Sequence, residues 1–226
     1  MYVYYCLNPR AVDVERPIPL SQGQGAMTPT HTAMVHNITS VYRLATSQEH
    51  ANGIDWYPNA HRIVCEWAET FERSIANVAC VVAALSPQME WKRNLVIAAD
   101  ILAGNPPSIG GSIHRFVSIA ERIRDDRATD TAPYFINGCK VRSFAANLAG
   151  SLSTVTVDTH GAQIAAGCPT ANLRVDIWRR YEPVARAYVD AAKRAHVRPS
   201  ELQAVTWLVW KRLYPQGRKN ALRSRW

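Results

Sequence analysis

Apolar residues in this chain recur mostly at three- and four-residue spacing. Ile38, Val41, Tyr42 and Ala45 fall at i, i+3, i+4 and i+7, the stripe of an amphipathic helix. Ile63, Val64, Trp67, Phe71, Ile75, Val78, Val82 and Leu85 extend the pattern over residues 60–85. That stretch requires a break or two before Pro87 ends it. Further helices are predicted over 89–102, 112–124, 140–149, 175–195 and 200–213. The helix near 112–124 buries Ile113, Phe116, Val117, Ala120 and Ile123, and the last one opens on Ser200-x-x-Gln203, a capping-box pattern. Thr154-Val-Thr-Val157 has the composition of a strand, but no partner strand is evident, so it reads as an extended connection. Trp56-Tyr-Pro-Asn-Ala-His61 reads as a packed turn. The predicted fold class is all-α, with seven to nine helices.

Residues 1–36 stand apart from this pattern. They hold Pro9, Pro17, Pro19 and Pro29 and the run Ser21-Gln-Gly-Gln-Gly25, and they read as an irregular N-terminal arm. Residues 37–226 read as one helical domain with a basic C-terminal tail. The longest apolar run, Val78 to Leu85, is far shorter than the roughly 20 residues that span a bilayer. The opening MYVYYCLNPR lacks the basic and apolar regions of a signal peptide. Cys6, Cys65, Cys80, Cys139 and Cys168 are odd in number and show no C-x-x-C spacing, which argues against a disulfide framework and against a zinc or iron–sulfur site. The seven histidines add no metal-ligand spacing. The expectation is a cytoplasmic monomer without metal, cofactor or membrane partner.

Charge and local chemistry narrow the picture. Lys and Arg number 26 and Asp and Glu 18, a net charge of +8, which points to an anionic partner such as nucleic acid or an acidic membrane surface. From Lys211 to Trp226 the chain has six basic residues and no acidic one, so Lys211, Arg218 and Lys219 are candidate phosphate contacts. The informative segment is Ile136-Asn-Gly138-Cys139-Lys140-Val-Arg142. A Gly just before a helix permits a tight turn and leaves the first N–H groups unobstructed, where the helix dipole favours phosphate. Lys140 lies in that first turn, and Asp158 follows eighteen residues later in Val155-Thr-Val-Asp158-Thr-His160. An amine and a carboxylate can thereby converge beside a phosphate-binding turn. Asp158 also suits the N-cap of the next helix, a duty compatible with catalysis. His160, Trp207 and Trp210 read as packing residues.

These segments resemble the helix-hairpin-helix DNA glycosylases, of which endonuclease III is the familiar member. That family carries a hairpin ending in Gly-x-Lys, a helix, and an apolar-Val-Asp-Thr-His segment, with the spacing seen between Lys140 and Asp158. Upstream, Val81-Val-Ala-Ala-Leu-Ser-Pro-Gln88 is similar to the family's apolar helix ending in Leu-Ser-x-Gln. The likeness covers roughly residues 70–170. It implies a DNA glycosylase, with or without lyase activity, that flips a damaged or modified base out of double-stranded DNA. Lys140 would attack the sugar C1′ and Asp158 would stabilise the oxocarbenium charge. Gln88 would fill the gap in the stack, while the turn bearing Gly138, Cys139, Lys140 and Arg142 grips the backbone.

The sequence departs from that family at several places. The family hairpin runs Leu-Pro-Gly-x-Gly-x-Lys, but here Ile136 stands at the first Gly and the Pro is lost. Gln163 replaces an Arg frequent beyond Asp-Thr-His, and the four-Cys iron–sulfur loop is missing. The patterns Leu85-Ser-Pro-Gln-x-x-Trp-x-x-Asn94 and Lys140-Val-Arg-Ser-Phe-x-x-Asn147-Leu-x-Gly150 look more like bacteriophage relatives linked to thymine hypermodification. Those are thought to attach an amino acid or amine to an activated base, and a phage protein would work in the host cytoplasm. A third possibility is a non-catalytic DNA-binding module that uses the hairpin only as a grip.

Overall fold

The computed structural model describes residues 29–110, 114–126 and 136–215. Most of the irregular-arm assignment, and Arg218 and Lys219 of the tail, lie outside these. Among the described residues there are nine α-helices and no strand. The all-α expectation holds. No helix among them is long and apolar enough to cross a membrane.

The first helix, α1, spans His31–Arg43, so residues 31–36 are helical rather than part of the irregular arm. The early start follows from Thr30, whose side chain accepts the Ala33 N–H as an N-cap. Helix α2 covers Ser47–Thr70, opened by a Thr46/Glu49 capping box. It runs straight through the segment read as a turn at Trp56–His61, because Pro58 stands on an exposed side of the helix. The Ile54 carbonyl that Pro58 leaves unpaired belongs to an exposed residue, so water can satisfy it.

Helix α3 (Ile75–Leu85) is capped by Ser74 and is buried from Asn77 through Leu85. A helix apolar all round belongs at the centre of a fold, and α3 packs against α2, α4 (Trp91–Leu102), α5 (His114–Asp125) and α6 (Cys139–Leu148). These helices share one hydrophobic core. A second core joins α1 to α7 (Thr159–Ala166), α8 (Trp178–Ala195) and α9 (Pro199–Leu213). Its largest fully buried side chains include Tyr181 and Tyr188 of α8.

The two cores meet along α2 and α9. Gly53 of α2 lies so close to Val205 of α9 that a Cβ would fall 2.4 Å from its Cγ2 and 2.7 Å from its Cα. Helix α9 begins two residues earlier than the Ser200–Gln203 box predicts. Pro199 is its first residue, and Glu201 accepts the Arg198 N–H at 3.0 Å. Ser200 instead donates to the Leu152 carbonyl, and Gln203 accepts from the buried Tyr57 hydroxyl. Both residues of the expected cap therefore fasten α9 to the rest of the protein.

Candidate functional site

The connection that presents Asp158 is extended and held from both cores. Asn147 of α6, fully buried, donates to the carbonyls of Ser151 and Thr154 and accepts from the Thr156 hydroxyl. From the other side, the Tyr181 hydroxyl donates to the Val155 carbonyl at 2.7 Å and accepts the Val157 N–H at 3.0 Å. Burial raises the Tyr181 phenol above its ordinary pKa, which keeps it available as a donor. A strand composition without a strand partner is thus satisfied by side chains.

Asp158 ends this connection and caps α7. Its Oδ1 accepts the Gly161 N–H at 2.8 Å, as the sequence led us to expect. Its Oδ2 accepts the Trp207 indole N–H at 3.2 Å. One donor on each oxygen fixes the plane of the carboxylate. Trp207 is therefore more than packing. Its ring also carries the Lys211 ammonium, 4.2 Å from the centroid, and meets the His160 ring edge-on. Two contacts thus connect the exposed Lys211 to Asp158. His160 is a packing residue, with a buried Nδ1 that has no hydrogen-bond partner.

Lys140 and Asp158 line one cavity of about 380 Å³. Val157, Thr159, Ala162 and residues 171–176 line it as well. Both key side chains are half-buried. The 171–176 stretch is predicted in part as a helix over 175–195, but α8 starts only at Trp178. Arg174, at φ +22°, departs from helical geometry there. Arg174 pairs with Asp176 at 3.2 Å. Asp176 is held below the usual carboxylate range by a backbone hydrogen bond first, then by Arg174 and the nearby Arg180.

The turn before α6 is built on a glycine. Gly138 takes φ +92°, a conformation that L side chains avoid, and no side chain caps the helix end it opens. Cys139 turns its side chain to the second core and is half-buried. The Arg142 Nε donates to the Ile136 carbonyl at 3.0 Å, bracing the turn, while its side chain stays exposed. Ile136, where the resembling family has Gly, is buried in the first core and anchors the turn by packing. Gln163, where that family often has Arg, is buried, donates to the Pro169 carbonyl and accepts from the Trp210 indole.

Gln88 does not line this cavity. It is exposed at the α3–α4 turn, in a left-handed conformation with φ +60°. Trp91, three residues on, packs 6.3 Å from Phe144 and 5.3 Å from Trp56. Phe144 sits one turn beyond Lys140, so this aromatic cluster fastens the Gln88 turn to the helix that carries Lys140. The asparagines and glycine of these segments have structural duties as well. Asn94 donates to the Val82 carbonyl, Asn147 brackets the connection, and Gly150 lies against the His61 ring. Among the described residues no cluster of three or more His, Cys, Asp or Glu side chains is placed to hold a metal ion.

Sequence reasoning missed Trp207, Tyr181 and the 171–176 lining. Trp207 and Tyr181 lie 49 and 23 residues beyond Asp158, and nothing local marks either one.

The sequence model described as "Family of unknown function (DUF7178)" matches residues 22–213. No curated protein matches the chain. No solved structure matches it either.

Proposed function

The chain belongs to DUF7178, a family of unknown function, and for it we propose a DNA-processing enzyme that acts at the sugar–base bond of a nucleotide swung out of the duplex. One observation carries the reading. Lys140 and Asp158, eighteen residues apart, line the same cavity, next to a glycine turn that opens an uncapped helix end. The cavity's roughly 380 Å³ falls within the size range of small-molecule sites.

In this mechanism the uncapped N–H groups at the start of α6 hold a backbone phosphate, and the base enters the cavity. The Lys140 amine bonds to C1′ and gives up a proton. The C1′–N bond breaks, and the base leaves with its electron pair and takes up a proton. The Asp158 carboxylate, held in one plane by Gly161 and Trp207, faces the positive charge that develops on the sugar. Opening of the sugar then yields a Schiff base at Lys140, from which the strand can be cleaved. Gln88 serves as the probe of the vacated stack, and the basic end of the chain adds phosphate affinity that does not depend on sequence.

The test is borohydride trapping on duplexes that carry an abasic site or a panel of altered bases, with nucleoside mass spectrometry of the products. A covalent adduct that is lost in Lys140→Ala is the expected result. Base release by Lys140→Ala at the wild-type rate would remove the nucleophile from the scheme. A nucleoside profile in which an amine appears on thymine would turn the reading to hypermodification instead.

A further inference from the structure

Trp178 is the first residue of α8, and at 66% exposure it is the most exposed of the large apolar side chains described. Its neighbour Ile177 is also exposed, at 49%. An indole left in water at a helix start needs a reason, because burying it against the protein is normally favourable. The ring is not loose. It stacks on Tyr181, with centroids 6.4 Å apart and planes 22° from parallel. Tyr181 is buried and tied to both Val155 and Val157, the residues that lead into Asp158. The platform is thus attached to the same connection that presents the carboxylate.

Arginines predominate around Trp178, with Asp176, paired to Arg174, as the acidic neighbour before the helix. Arg179 and Arg180 follow Trp178 and are exposed. The first turn of α8 holds no acidic residue and its N-cap makes no side-chain hydrogen bond. The residues just before it, Arg174 to Asp176, line the same cavity as Lys140. An exposed aromatic face flanked by arginines, at the rim of a cavity lined by a lysine, matches the chemistry of single-stranded nucleic-acid binding. There the bases stack on aromatic rings while cations follow the backbone.

We propose that Trp178 is a stacking platform for an unpaired nucleobase at the cavity rim, with Arg179 and Arg180 contacting the phosphates beside it. This rests on the DNA-processing reading and adds a substrate preference to it: DNA with an unpaired base is bound more tightly than a perfect duplex. The full-length protein is titrated against a fluorescent mixed-sequence single strand and against the same sequence as a duplex, over a range of salt. Trp178→Ala is expected to weaken single-strand binding on the order of tenfold, with an unchanged salt slope. Trp178→Phe keeps most of the affinity. Arg179→Gln with Arg180→Gln lowers the salt slope by roughly one to two contacts. Circular dichroism confirms folding, and the exposure of Trp178 makes its loss tolerable.

Wild-type affinity in Trp178→Ala, with DNA still bound, overturns the platform and leaves the enzyme reading standing. A wild-type dimer that Trp178→Ala converts to monomer shows a second copy as the occupant, which also overturns it. Failure of the wild type to bind any of these DNAs overturns both readings.

Discussion

The glycine at the head of α6 offers a test in which backbone strain separates from steric clash. Gly138 has φ +92°, and a Cβ built there would meet nothing within 4 Å. Gly104, after the C-terminus of α4, has φ +81° and equally open surroundings. In both, replacement by Ala costs only the conformational penalty of a non-glycine residue at positive φ, about 1–3 kcal/mol. For a domain of this size that lowers the melting temperature by roughly 2–12 °C. Both substitutions should therefore destabilise in thermal and urea unfolding. They should differ in function. On the proposed function, Gly138→Ala disturbs the N–H groups of the α6 end and loses DNA affinity and any covalent adduct, whereas Gly104→Ala retains both below its melting temperature. Equal DNA binding by the two variants would refute the phosphate grip. A Gly138→Ala protein as stable as wild type would refute the strain argument.

Other expectations follow from packing and charge. Gly53→Ala drives a Cβ into the Val205 backbone, 2.7 Å from its Cα. The overpacking, about 3 kcal/mol, exceeds the roughly 1 kcal/mol that Ala gains in helix propensity, so calorimetry should show a net loss of about 2 kcal/mol. Glu49, at the start of α2, accepts two bonds from Arg212 of α9, at 2.7 and 3.1 Å, and the Arg212 hydrogen bond lowers its carboxyl below the ordinary value of 4.5. The stabilisation is therefore present above that value and lost as pH falls through the lower folded one. Glu49→Gln should be less stable near neutrality, with the gap closing in acid, and a pH-independent gap in urea titrations would argue against the assignment. Burial pushes the Cys80 thiol up to about 12, so thiol reagents at mildly alkaline pH should label it only on unfolding. Labelling of Cys80 at the rate of the half-buried Cys65 would contradict that burial.

Several features of this protein were readable in the sequence because their causes are local. Apolar spacing identified most of the helices, and the Asp158 cap needed only its own neighbourhood. Helix ends were misplaced where a neighbouring element decided them. Pro58 stays inside α2 because its side faces solvent, and Ser200 and Gln203 turned outward from their cap to bond Leu152 and Tyr57.

The sequence by itself determined an all-helical chain with Lys140 and Asp158 at a fixed spacing and a glycine before the lysine. It could not determine that these groups share a cavity, because residues 171–176, which also line it, form a loop that only packing positions. Nor could it assign Trp207 and Tyr181 to holding Asp158 and its approach. Period and capping are encoded within a few residues, whereas the orientation of a carboxylate depends on donors that reach it from helices distant along the chain.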